Sequence, residues 1–341
     1  DRFPLLEALY SAGWKLEYGF EPSEAWADLA RMLLERQQTD RAVAVAERVT
    51  APRTLLALRV DKRFDALVSA HPERFDVDAA VRREIGVIEK LSAESPRSLQ
   101  LRYELIFSVV EAGQYRRALK MADDVLAGER GAPFESRYDD SAEFANWILD
   151  ARAHALLGLG KWTEAQRYFE QAAAHPEEGR PNVSNAINLA MLHAQFGRSR
   201  QALDALGPMV LDDKGVSPYG GMQIQHVLLL ASLASHDKVG TQSALDFMRD
   251  NQLDSLATFQ TALVSANALD EAAGLMVRRL KDPALRADAL AEVQDYRMPP
   301  MTPAERTLEQ HWRELMARSD VKETIEKVGR VERFSIPPIT R

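Results

Sequence analysis

The chain is expected to be all-α, built as an α-solenoid of antiparallel helix pairs closed by helical end caps. Three observations predict this. Apolar residues recur at i, i+3, i+4 and i+7 along nearly the whole sequence, and alternating β-branched runs are almost absent. Glycines and prolines fall between the helical stretches rather than inside them. A helix–turn–helix figure with small residues at fixed places comes back six times, and one pair of helices cannot bury its apolar face without neighbours.

Composition sets the frame. The 341 residues are 46% hydrophobic and 28% charged, a globular mix with enough chain for a sizeable core. A net charge of −8 with no basic stripe argues against a general nucleic-acid binder. There is no cysteine, which excludes disulfides, thiolate metal sites and cysteine nucleophiles but fits either redox compartment. No apolar run reaches the roughly 20 residues of a membrane span. The longest, "IQHVLLLASLA" from Ile224 to Ala234, reads as a buried helix. The start "DRFPLLEALY" has no methionine, the form of an exported chain after leader removal or of a fragment; it favours a periplasmic or secreted location over a cytoplasmic one.

Taken in order, residues 1–22 predict an N-terminal capping helix over "FPLLEALYSAGWKLEYGF". Residues 23–281 hold the array, about seven units of which the second is eroded. The first unit carries Trp26, Leu29, Ala30 and Leu33, then Ala42 and Ala46. "RTLLALRVDKRFDALVSAHPERF" and "DAAVRREIGVIEKLSA" fill the eroded place, with "RVDKRFD" (Arg59 to Asp65) as a solvated face or turn. Leu105 and Val109 precede Gly113, Tyr115, Ala118, Ala122 and Leu126. An insertion follows from Gly128 to Ser141. Next come Trp147, Leu149, Ala153 and Leu156, then Gly160, Trp162, Ala165, Phe169 and Ala172. The later figures are Leu189, Ala190, Gly197, Ala202 and Leu206; Leu229, Leu233, Val239, Ala244 and Met248, with a turn two residues longer; and Phe259, Leu263, Leu269, Ala272 and Met276. The marker alanines Ala42, Ala118, Ala165, Ala202, Ala244 and Ala272 are 76, 47, 37, 42 and 28 residues apart. Residues 282–341 predict a helical cap with a proline-containing extended tail: helices over "AERTLEQHWRELMAR" and "SDVKETIEKV", then "VERFSIPPITR", which either lies along the stack or hangs loose.

Over roughly residues 23–281 the pattern resembles the tetratricopeptide repeat family. Trp26, Leu29 and Ala30 match its first helix; Gly160, Trp162, Ala165, Phe169 and Ala172 match its second; Gln37, Val239 and Asn267 stand where other turns carry glycine. The resemblance implies a right-handed superhelix whose first helices line a concave groove. The first-helix residues expected to face that groove are Arg31, Tyr103, Phe107, Asp150, His154, Asn188, Met191, Gln195 and Thr258. Their mix of aromatic, amide, methionine and single charges suits a protein or peptide partner.

Catalytic readings are weaker. "GLGK" (Gly158 to Lys161) lacks the strand, the longer arch and the following serine or threonine of a phosphate loop, so both glycines read as turn residues. The histidines form no zinc-protease pattern, although His154 and His193 fall on neighbouring first helices. The pairs Asp123-Asp124, Asp139-Asp140, Glu177-Glu178 and Asp212-Asp213 lack calcium-loop spacing and read as solvated ends. The expectation is a non-enzymatic binding scaffold with no metal, cofactor, nucleic acid or membrane span. Two alternatives stay open: an accessory subunit of a bacterial cell-envelope assembly or polysaccharide-export machine, and a regulator binding a small molecule or signal peptide.

Overall fold

The computed structural model of the chain describes residues 2–127, 134–176, 182–210 and 215–338. Its architecture is all-α. The helices are α1 Phe3–Ser11, α2 Ser23–Glu35, α3 Thr39–Ala46, α4 Pro52–Val60, α5 Asp65–Ala70, α6 Val77–Glu94, α7 Leu99–Glu111 and α8 Tyr115–Ala127. They continue with α9 Phe134–Arg137, α10 Ser141–Gly158, α11 Trp162–Ala174, α12 Val183–Gln195, α13 Ser199–Leu206, α14 Pro218–Ala234, α15 Lys238–Asp250, α16 Leu256–Ser265, α17 Leu269–Lys281 and α18 Arg286–Glu292. A two-residue strand, β1 Asp295–Tyr296, precedes α19 Pro303–Ala317 and α20 Ser319–Val328, and β2 Arg333–Phe334 pairs with it in parallel.

Six helix pairs share one turn. Gln37, Gly113, Gly160, Gly197, His236 and Asn267 all have φ between 57° and 71°. In each, that residue's N–H bonds a carbonyl three residues back and the next N–H bonds one five residues back: Gly160 N to Leu157 O at 2.9 Å and Lys161 N to Leu156 O at 2.9 Å, and likewise His236 N to Leu233 O and Asp237 N to Ser232 O. This closes the first helix of each pair with a left-handed residue, a place glycine fills without the Cβ penalty. The fifth of these turns corrects the sequence register. His236, not Val239, holds the left-handed position; Asp237 caps α15 through Val239 N and Gly240 N. Counted five residues on from each turn, the marker place is Ala42, Ala118, Ala165, Ala202 and Ala272, and Thr241 in α15, with the buried Ala244 three residues further along. The turn then lies 39 residues after Gly197 and 31 before Asn267, so the uneven spacing narrows.

The chain divides into two compact units. One comprises Asp1–Leu91, Met276–Arg297 and Ser319–Ile336; the other comprises Ser92–Leu275, Met298–Arg318 and Pro337–Arg341. The second unit is packed in sequence order. α10 lies against α7, α8 and α11; α11 against α12; α12 against α13 and α14; α14 against α13, α15 and α16. Small residues set the spacing: Ala118, Ala122, Ala153, Ala165, Ala172, Ala190 and Ala202 are fully buried. Gly158 belongs to this packing and not to the turn. It ends α10, and a Cβ there would sit 2.3 Å from the Tyr115 ring. Prolines of the later chain rest on two turns, since a Cβ on Gly160 would lie 3.2 Å from Pro300 and one on Gly113 3.3 Å from Pro337. α19, held by a capping box of Thr302 and Glu305, packs on α12 and α16 and buries Trp312 and Leu315.

The first unit is assembled from distant pieces of chain. α1 stops at Ser11 rather than running to residue 20, because Gly13 takes φ 65° and closes the helix, with Trp14 N bonding Leu9 O. Trp26 is fully buried; its Nε1 donates to Glu21, whose carboxylate also binds Arg48. The stretch Arg59 to Asp65 spans the turn between α4 and α5, as one of its two readings had it, but Val60, Asp61 and Phe64 in it are buried rather than solvated. Asp61 is fully buried, accepts from the Arg63 backbone and guanidinium, and forms an antiparallel bridge with Gly329. The C-terminal segment reaches it through Arg330 N to Val60 O (3.1 Å), Arg59 to Glu332 (2.7 Å) and an Arg330–Asp65 ion pair. Gly329 is required there, because a Cβ would lie 2.6 Å from Val60 O. β2 adds Tyr296 opposite Phe334, both largely buried. The tail is therefore packed into this unit as far as Ile336; residues 339–341 lie outside the described part.

Candidate functional site

The second unit carries a row of aromatic and polar side chains on first helices of its pairs. α7 supplies Tyr103 and Phe107, one turn apart, with ring centroids 5.7 Å apart. α10 supplies Phe144, Trp147, Asp150 and His154, spaced by three and four residues so that they share a face. Tyr103 meets Phe144 at 6.4 Å and Trp147 at 5.8 Å; Phe107 meets His154 edge-on at 6.2 Å; His154 meets Phe169 at 5.2 Å.

Asp150 is the electrostatic centre of this row. It is 2% exposed, accepts from Asn188 Nδ2 at 2.9 Å, and lies 3.5 Å from His154 Nε2. Burial raises its pKa above the usual carboxylate range, and the charge of His154 and the Asn188 bond pull it back only in part. Tyr103 is also raised, first by burial and then by Asp150, Glu104 and Glu111. A second bridge continues between first helices, Gln223 Nε2 on α14 donating to Thr258 Oγ1 on α16 at 2.8 Å.

The sequence-named residues distribute as follows. Tyr103, Phe107, Asp150, His154 and Asn188 come together. Thr258 is buried and shared between Gln223 and the α16 cap residue Ser255. Met191 packs on the Ile187–Ala190–Val227 cluster, and Gln195 sits at the end of α12 beside a cleft. Arg31 lies in the other unit, largely buried and bonded to Asp28 at 2.8 Å. His193 is buried with Nδ1 unpartnered, while His154 has Phe107, Phe169 and Asp150 for neighbours.

Acid pairs read as solvated include a structural group. Asp140 reaches across to the start of α7 and accepts from Leu99 N (2.7 Å) and Gln100 N (2.9 Å), capping a helix 41 residues earlier in the chain. Asp123 binds Arg152 and Asp124 binds Lys120. Glu177-Glu178, Asp212-Asp213 and residues 128–133 of the insertion lie outside the described residues. Sequence reasoning missed Phe144 and Gln223 as members of the row and read Trp147 only as a packing position of the repeat; the i, i+3 spacing of Phe144, Trp147 and Asp150 is the signal that marks Phe144 and Trp147.

Among the described residues, no group of three or more acidic or histidine side chains is placed to hold a metal ion. No helix among them is long and apolar enough to cross a membrane. Comparison with protein-family models and with curated protein sequences gives no match.

Proposed function

We propose that the chain is a non-enzymatic scaffold, a right-handed α-solenoid of the tetratricopeptide type whose first helices hold a protein or peptide partner in a concave groove. The observation that carries this reading is the row Tyr103, Phe107, Trp147, Asp150, His154 and Asn188 on three successive first helices of one unit. The six left-handed turns of common geometry support its repeat half. Met191, Gln195 and Thr258 extend the candidate surface along α12 and α16.

Ring faces with a half-buried rim give contact area at low entropic cost, and the buried Asp150–Asn188 bond fixes how α10 and α12 present them. The row acts by binding, with no cofactor, metal, nucleic acid or membrane span involved.

Peptide display against the chain tests the reading. Selected peptides are expected to lose at least tenfold in affinity for a Tyr103→Ala/Asn188→Ala variant whose helical circular dichroism is unchanged. Peptides that bind the variant as well as the parent would move the binding surface elsewhere.

A further inference from the structure

A different feature of the second unit points to a small-molecule site. α19 crosses the C-terminal ends of α12 and α16, and beneath it remains a cleft of about 440 Å³, within the usual size of ligand pockets. Its walls are mixed, with the apolar Phe196, Leu233 and Leu308 set beside the polar Gln195, Asn267 and Thr307. Among the described residues, no aspartate, glutamate, lysine or arginine lines it, and the Arg198 guanidinium lies 5.1 Å from the Phe196 ring centroid. A cationic ligand would give up hydration there and meet no carboxylate in the lining, and an anionic one would find only Arg198, which is already bonded to Gln166, so an uncharged one is favoured.

His311 provides the chemical handle. It lines the cleft from α19, and its Nδ1 is 2.9 Å from Val264 O at the end of α16. A carbonyl oxygen can only accept, so Nδ1 carries the proton, and in the neutral ring Nε2 is left with a lone pair. We infer that the cleft under α19 binds an uncharged, ring-sized apolar molecule bearing one N–H or O–H donor, with His311 Nε2 accepting that hydrogen bond. The bound ring would rest on Phe196 and Leu233 and hold α19 against α12 and α16. The cleft shares Gln195 with the candidate surface of the scaffold reading but none of Tyr103, Phe107, Trp147, Asp150, His154 and Asn188, and a ligand there does not depend on that reading.

Indole, 1-methylindole and indole-3-acetate are suitable probes, followed by amide NMR shifts of α12, α16 and α19. Indole is expected to shift these residues saturably, with a Kd on the order of 1 mM or tighter. Removing the donor in 1-methylindole, or adding charge in indole-3-acetate, is expected to weaken binding at least tenfold. His311→Phe should erase the preference for indole over 1-methylindole. Ala304→Trp, which fills the cleft from the exposed end of α19, should abolish binding while the melting temperature holds. The inference is overturned if indole gives no saturable shift, if 1-methylindole binds as well, or if binding survives in a folded Ala304→Trp protein.

Discussion

The two units reach all-α structure by opposite routes. In the second, the helices from α7 to α15 pack on those one to three places further along the chain, and α19 returns to pack on α12 and α16. In the first, the junction at Asp61 is completed by Gly329, Arg330 and Glu332, more than 260 residues later. Long-range closure makes a body in which one distant segment controls the rest. The difference teaches where damage should spread and where it should stay.

The strongest way to break the comparison is to remove the closing segment. A chain ending at Arg318 lacks α20 and β2, and with them the buried Val321, Ile325 and Phe334. Hydrogen exchange is expected to show α2–α4 losing most of their protection while α10–α14 keep theirs. Equal loss in both units would mean that the second is not locally held. Gly329→Val should produce a milder form of the same pattern, by driving its side chain into Val60 O.

A charge placed in the repeated seam is the matching test for the second unit. Ala165 is fully buried between α11 and its neighbours. Ala165→Glu should cost about 3–5 kcal/mol, the range for an uncompensated buried charge, read as a fall in melting temperature. An unchanged melt would refute the packing register.

Acid should also separate the units. His226 on α14 is buried with Nε2 unpartnered, and burial pushes its pKa down to about 4. The unfolded chain takes up this proton near pH 6.5 and the folded one only near 4. The stability contribution is therefore complete above pH 6.5 and is lost as pH falls towards 4, by on the order of 3 kcal/mol. His226→Leu is expected to flatten that limb in denaturant titrations across pH 4–7. His193, lowered by burial and then by Arg198, acts in the same direction.

The smallest effect concerns the turns. His236 holds φ 57° where Gly113, Gly160 and Gly197 hold the same conformation without a Cβ. His236→Gly should stabilise the protein by about 1 kcal/mol, and Gly160→Ala should destabilise it by at least that much, since Pro300 closes on the site. Chemical denaturation of the two variants gives both signs.

These contrasts also explain how much could be read from the sequence. The helices and the glycine turns were legible because a left-handed residue and a close-approach alanine leave strong local marks. The α14–α15 turn was misplaced because histidine can occupy the left-handed position and leaves no such mark, while Val239 fell at the expected distance from Ala244. Asp61 and Asp140 looked like solvent residues because what surrounds them lies far along the chain: the Gly329 backbone bridges to Asp61, whose carboxylate is held by nearby Arg63, and the α7 backbone bonds Asp140. The row was half legible. Tyr103, Phe107, Asp150, His154 and Asn188 follow from helical register, but the burial of Asp150 depends on how α10 and α12 pack. The α19 cleft left no sequence signal, since its lining comes from four helices and their ends.

Hydrogen exchange on the chain saturated with a display-selected peptide tests the scaffold reading most directly. New protection is expected on α7, α10 and α12 around Tyr103, Asp150 and Asn188, with α8, α11 and α13 unchanged. Protection confined to those second helices, or to the unit that contains Asp61, would contradict it.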